Sequence, residues 1–289
     1  MLKSIAVAIC IFSFASISCK KKNTSADVQV NFIFKFDSTQ ERLNNVGAPA
    51  GVAVGNKAQS PVFNKMSAHY LEMTPDQFTL LGNGDVLYRA PETTQGGTNA
   101  IDFSKAKFAG EGETFLSVPL KDVKPGTYNW LRVSLAYQNY DIKLNAAGLS
   151  LKTTVASFIG FRTYVQSFKV KDSVVNVNAN RDQGFWAFEA STSGFGIVDS
   201  GQAPAGATTV PNPLFASSPV PAGSCVVTGQ FAAPLVISGN ETSNINIVIS
   251  LSTNNSFEWK DMDGNNTYDP LNGDQVVDMG IRGLKPLVQ

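Results

Sequence analysis

The sequence predicts an all-β protein: a β-sandwich or two packed antiparallel sheets with long Gly/Pro-rich loops. Three observations carry that expectation. Apolar and polar residues alternate in several short runs, while no window of about 12 residues keeps the 3.6-residue period of a helix. The chain holds 24 Gly and 14 Pro, which cut it into short segments. Its 19 Phe suit the inward faces of packed sheets. Nothing repeats at a fixed spacing, so solenoids and propellers are excluded.

The first clear strand is residues 28–36, VQVNFIFKF, with Val28, Val30, Phe32, Phe34 and Phe36 on one parity. A polar connector over 37–60 follows, long for a hairpin and expected to pack as an ordered loop. Strands are then expected at 67–73, 78–81, 86–88, 100–103 and 115–118. The turn Lys124-Pro125-Gly126-Thr127 leads into 128–137, where Leu131, Val133 and Leu135 share a face. Tyr128 and Trp130 fall on the other parity, which points to aromatic cover opposite or to a bulge near Trp130. Further strands are expected at 140–144, 151–158, 161–170, 173–177, 185–190 and 195–198. Residues 199–224 carry five prolines and no central-strand pattern, and read as a surface crossing or a linker. Strand character resumes at 225–228, 234–237 and 244–251, where Ile245, Ile247, Ile249 and Leu251 alternate.

The first residues belong to export. Lys3 precedes an apolar run from Ile5 to Ile17, shorter than the roughly 20 residues a spanning helix needs. The run ends at Ser16-Ile17-Ser18-Cys19, followed by three lysines, and this order resembles a bacterial lipobox. The expected organisation is a signal peptide (1–18), a lipidated tether beginning at Cys19 (19–26), one β-rich domain (27–284) and a C-terminal tail (285–289). A subdivision near 199–224 is the alternative. The expected location is the bacterial cell envelope, anchored by lipid, with the outer membrane the favoured side. Cys10 leaves with the signal and Cys19 is acylated, so Cys225 is left alone, with no internal disulfide to form. It reads as a small buried hydrophobe.

Charge and histidine content narrow the function. With 23 basic and 23 acidic residues, no electrostatic case for nucleic acid exists. A single histidine, His69, excludes any site needing two from one chain. No Gly-x-Ser-x-Gly elbow, phosphate loop or dinucleotide fingerprint occurs. Glu72, Glu189, Asp182 and Glu258 lie near aromatics and are the carboxylates a glycosidase reading would draw on. Any chain this acidic supplies such pairs, so catalysis is the lesser reading.

The one motif with specific chemistry runs from Phe257 to Pro270. Asp261, Asp263, Asn265 and Asp269 occupy the first, third, fifth and ninth positions of an EF-hand-like loop, with Thr267 offering a carbonyl at the seventh. Asn266 stands where glycine is usual, and Asn272 where a bidentate glutamate would clamp. Asp274 or Asp278 is expected to close the shell. The oxygen-only set points to Ca²⁺ in a structural role and away from zinc or copper. A self-capped Asn/Asp-rich hairpin is the alternative. For ligands, Tyr128, Trp130, Tyr137, Tyr140 and Trp186 are the candidate aromatic faces, suited to a glycan; exposure decides between that and core packing. An envelope protein is the other partner considered.

The lipobox with its lysines and the closing residues 273–284, GDQVVDMGIRGL, resemble an uncharacterised lipoprotein family of Bacteroidota. The early strand, residues 68–73 and Pro125-Gly126-Thr127-Tyr128 leading into 131–135 resemble the periplasmic MbnP-like β-sandwich proteins, associated with metal acquisition. That resemblance covers about the first half of the chain and implies a β-sandwich. A histidine-supported copper site does not carry over to a chain whose only histidine is His69.

Overall fold

A computed structural model describes residues 28–192, 195–203, 221 and 223–289. Cys19, the expected signal peptide and tether, and most of the Gly/Pro-rich segment lie outside these residues. Strand makes up 59% and helix 4%, the latter only single 3₁₀ turns, so the chain is all-β with packed, mainly antiparallel sheets.

The spine is one long strand. Residues Gly126–Ala146 form β8, on which β3 (Val62–Thr74) pairs antiparallel along one edge from Trp130 to Asp141. The other edge is shared. Its first half takes β14 (Cys225–Ile237) and its second half takes β9 (Leu149–Phe158). Beyond these lie β4 (Asp85–Arg89) on one side and β12 (Phe185–Thr192) with β13 (Phe195–Gln202) on the other, completing a seven-stranded sheet.

The sequence divides β8 into two strands because its inward parity changes midway. Leu131, Val133 and Leu135 face the main core, and after Ala136 the even residues Tyr140 and Ile142 do so. Ser67 pairs with Tyr137 and Ala68 with Leu135, leaving Ala136 as an extra, bulged residue. Its carbonyl accepts from both Ile159 and Gly160 (2.9 and 3.0 Å), at the point where β14 gives way to β9. The expected irregularity near Trp130 is also present, on the partner strand, where the β14 register shifts after Gln230.

A second sheet packs on one face of the first. β1 (Gln29–Asp37) runs between β7 (Thr114–Pro119), antiparallel, and β15 (Ile245–Ser252), parallel; β18 (Leu284–Val288) closes the edge. The C-terminal residues expected as a tail are thus an edge strand. The core between these sheets runs from Val28 to Leu284 and includes Phe32, Phe34, Leu71, Val133 and Ile249. On the opposite face of the seven-stranded sheet lies a smaller core of Tyr137, Phe158, Phe168 and Phe185. It is covered by β11 (Val174–Asp182) and β10 (Arg162–Lys169), extended by β6 (Ala100–Asp102) and β5 (Glu92–Thr93). Glu189 of β12 ties the two layers: its Oε2 accepts from the N–H groups of Lys171, Asp172 and Ser173 (3.0, 2.9 and 2.9 Å).

A three-stranded sheet completes the molecule: β2 (Asn56–Gln59), β16 (Phe257–Lys260) and β17 (Gln275–Met279). Residues 78–81, expected as a strand, are instead a turn. The Asp76 side chain accepts from the N–H groups of Phe78 and Thr79 at 2.8 Å, an Asx cap that bends the chain away from any ladder. It leaves Phe78 81% exposed and turns Leu81 inward.

Candidate metal site

The loop between β16 and β17 is seated by contacts that do not involve its carboxylates. Tyr268 packs edge-on against Phe257 at 5.0 Å and lies 5.8 Å from Trp259, so an aromatic plug joins the loop to the main core. From β8, the Asn145 N–H donates to the Tyr268 carbonyl (2.8 Å) and its side chain to Thr267 Oγ1 (3.0 Å). A 3₁₀ turn at Pro270–Asn272 and Gly273 at φ 98° return the chain to β17.

Between these anchors, Asp261, Asp263 and Asp274 each bring an oxygen within 4.8 Å of the other two. Asp261 accepts from Gly264 and Asn266, and Asp274 from Met262 and Asp269, all at 2.8 Å through backbone N–H groups. Asp263 accepts from the Asn265 and Asn272 side chains (2.8 and 3.1 Å). Asn266 adopts φ 63°, the left-handed conformation its position demands. Burial works against ionisation of Asp261, but the Asn266 and Gly264 N–H groups outweigh it and hold the carboxyl below its ordinary range. Asp261 is thereby presented as a charged acceptor, beside the oxygens of Asp263 and Asp274. Like charges held this close repel one another, more strongly wherever the protein displaces water, so a cation among them relieves a standing cost.

Asp269 supplies an independent observation. It is 8% exposed, and its Oδ1 has no hydrogen-bond partner. Its Oδ2 shares the Asn272 amide with Asp263 Oδ2, at 2.8 and 3.1 Å, which places the carboxylate beside the cluster. A buried carboxylate oxygen left without a donor is costly unless a cation completes it.

The other expected ligands divide. Asn265 Oδ1 is engaged by the N–H and hydroxyl of Thr267 (2.7 and 2.5 Å), so it shapes the loop. Asp278 lies on β17, and its Oδ2 pairs with Arg282 Nη2 at 2.6 Å, which commits it outside the cluster.

The aromatic candidates do not form one surface. Tyr128 and Tyr140 are buried in the main core and Tyr137 in the smaller one, on opposite faces of the sheet. They are packing residues, because the interior of two cores consumes them before solvent can. Trp186 is half-buried and stacks on Phe188 at 6.0 Å. Trp130 is half-buried and lines a surface cleft.

Each carboxylate of the acid/base reading is held by a structural partner. Burial raises the pKa of Glu72 against the opposing pull of Gly84, Arg132 and Gly82. Glu258 accepts from Arg42 and Asn56 and lies 3.7 Å from Arg282. Asp182 pairs with Arg162 and Glu189 caps the turn described above. His69 is fully buried, its Nε2 2.9 Å from Glu92. It is a bulged residue of β3, skipped between the pairs Ala68–Leu135 and Tyr70–Ser134.

Sequence reasoning missed the buried pair of Glu72 and Arg132, whose Oε2 and Nη1 are 3.7 Å apart. An arginine set between Leu131 and Val133, in so apolar a strand as β8, was the available signal. No family model matches this chain, nor does any curated protein or solved structure.

Proposed function

We propose that this chain is a non-catalytic protein of the bacterial cell envelope, lipid-anchored at Cys19 to the outer membrane, whose C-terminal loop holds Ca²⁺ as a structural ion. The convergence of Asp261, Asp263 and Asp274 oxygens within 4.8 Å carries the metal reading. Asp269, with its partnerless buried oxygen, is the fourth ligand, and the Thr267 carbonyl is the remaining one from the motif. Carboxylates and carbonyls are the hard oxygen donors that Ca²⁺ takes, about six to eight in number, with water filling the rest. The ion staples the turn between β16 and β17, and through Tyr268 and Asn145 it secures that hairpin to the spine. Sites of this kind in extracellular modules bind with dissociation constants up to roughly 10⁻⁴–10⁻³ M, enough where calcium is plentiful.

The anchor reading rests on the order of apolar run, lipobox and lysines. Metabolic labelling with an alkyne fatty acid is expected to tag the wild-type protein and not Cys19→Ala.

Terbium luminescence tests the metal site directly, because Trp259 and Tyr268 stand beside the loop as sensitisers. Tb³⁺ is expected to give a saturable emission that millimolar Ca²⁺ displaces and that Asp261→Ala with Asp263→Ala abolishes. Emission unaltered by those substitutions contradicts the assignment.

A further inference from the structure

On the face of the seven-stranded sheet away from the main core, Tyr70 and Glu72 of β3, Arg132 and Ser134 of β8 and Val226 of β14 are covered by the 75–84 loop. That loop is pinned along its length by side chains of the sheet. The carbonyls of three successive residues are tied: Pro75 accepts from Asn129 Nδ2 (2.6 Å), Asp76 from Thr74 Oγ1 (2.9 Å) and Gln77 from Arg132 Nη2 (3.0 Å). At its other end, Gly82 and Gly84 donate to Glu72 Oε1 at 3.0 and 2.6 Å. Glu72 and Arg132 are themselves 0% and 1% exposed. The loop is thus held from inside by a buried ion pair, and what it holds outward is Phe78.

Where the cover ends, the same face opens into a cleft of about 310 Å³ walled by Phe78, Asp76 and Gln77 on the loop and by Trp130, Asn129 and Gln230 on the sheet. The Trp130 ring is backed by the 44–50 loop: a Cβ on Gly47 would sit 3.9 Å from Trp130 Cζ3. The loop backbone that forms one wall is pinned before any ligand arrives, so binding there needs little ordering of the main chain.

We propose that this cleft binds a neutral oligosaccharide, with a sugar ring against Trp130 and Phe78. The lining pairs an indole and a phenyl ring, which take the C–H face of a pyranose, with three primary amides and one carboxylate, which bond its hydroxyls. Asp76 Oδ1 caps the loop, and its other oxygen is left to accept from a hydroxyl. Among the lining residues there is no cation, and Arg132 is turned inward to the Gln77 carbonyl, so an anionic sugar or a phosphate meets only Asp76. The volume lies at the lower end of small-ligand sites, about 300–1,000 Å³. This site is separate from the metal loop, and neither reading depends on the other.

Isothermal titration calorimetry with cellohexaose, xylohexaose, laminarihexaose and maltohexaose tests it, run in Ca²⁺ and again in EDTA so that failure of the metal site is seen separately. Saturable heat is expected with at least one of the four in both conditions. Trp130→Ala is expected to weaken it by about tenfold or more, and Phe78→Ala, at an exposed position that does not threaten folding, by several-fold. Trp186→Ala, outside the cleft, leaves it unchanged, and hexagalacturonate binds no better than the neutral probes. Absence of heat with all four neutral probes, or binding that Phe78→Ala and Trp130→Ala leave intact, overturns the proposal.

Discussion

His69 shows how a single side chain is read differently once its surroundings are known. In sequence it shares a parity with Leu71 and Met73, yet the bulge rotates it out of that alternation and into contact with Glu92 and the Phe161 ring. Burial lowers its pKa, against the opposing influence of Glu92. A histidine whose folded pKa is depressed contributes stability that is complete above its unfolded value, about 6.5, and is lost as pH falls. Glu72, raised by burial, has the opposite sign and gives up stability as pH rises. The difference between wild type and His69→Gln isolates the histidine. Urea melts from pH 7.5 to 5.5 are expected to show that difference shrinking, with a limiting slope of about 1.4 kcal/mol per pH unit; a constant difference contradicts a buried neutral His69. The acidic loop is more legible. Spacing alone singles out Asp261, Asp263 and the left-handed Asn266, because loop ligands lie close in sequence. Asp278 escapes the same reasoning, since its ion pair with Arg282 is not a spacing property.

At the level of elements, alternation located β1 and β15 well, because each turns one parity into the main core. It failed where a side-chain cap or a bulge intervened. Asp76 turns residues 78–81 out of the ladder, and Ala136 changes the parity of β8 so that one strand reads as two. β2 and β5 were missed because short edge strands carry almost no periodic signal. Packing of β14 on β18 depends on a position that sequence marks only as glycine. A Cβ on Gly229 would press on the Leu284 carbonyl and side chain and sit 2.8 Å from Pro286 Cδ. A backbone carbonyl cannot move aside as a side-chain tip can, so Gly229→Ala is expected to cost about 1–3 kcal/mol or more in chemical denaturation. Full wild-type stability in that variant would show that β14 and β18 do not approach so closely.

Three of the four sheets of the described residues stack as layers, and their topology explains why residues near 284 matter to those near 28. β1 and β15 pair in parallel across some two hundred residues, a contact that local pattern leaves open, and β18 then seals Leu284 into the same core. Cys225 is the free cysteine among the described residues, its thiol pushed up to about 12 by burial, so these layers hold by packing with no covalent staple there. In that setting the turn between β16 and β17, tied to the spine through Tyr268 and Asn145, is where an ion has most to add. The direct measurement is thermal unfolding across a Ca²⁺ titration into the millimolar range, for wild type and for Asp261→Ala with Asp263→Ala. A ligand that binds only the folded state stabilises by about 2.7 kcal/mol at a hundredfold excess over its dissociation constant. The melting temperature of the wild type is expected to rise with Ca²⁺ and fall back with EDTA, while the double variant stays flat. An unchanged wild-type melt, with no bound metal detected, would contradict the calcium-stapled loop.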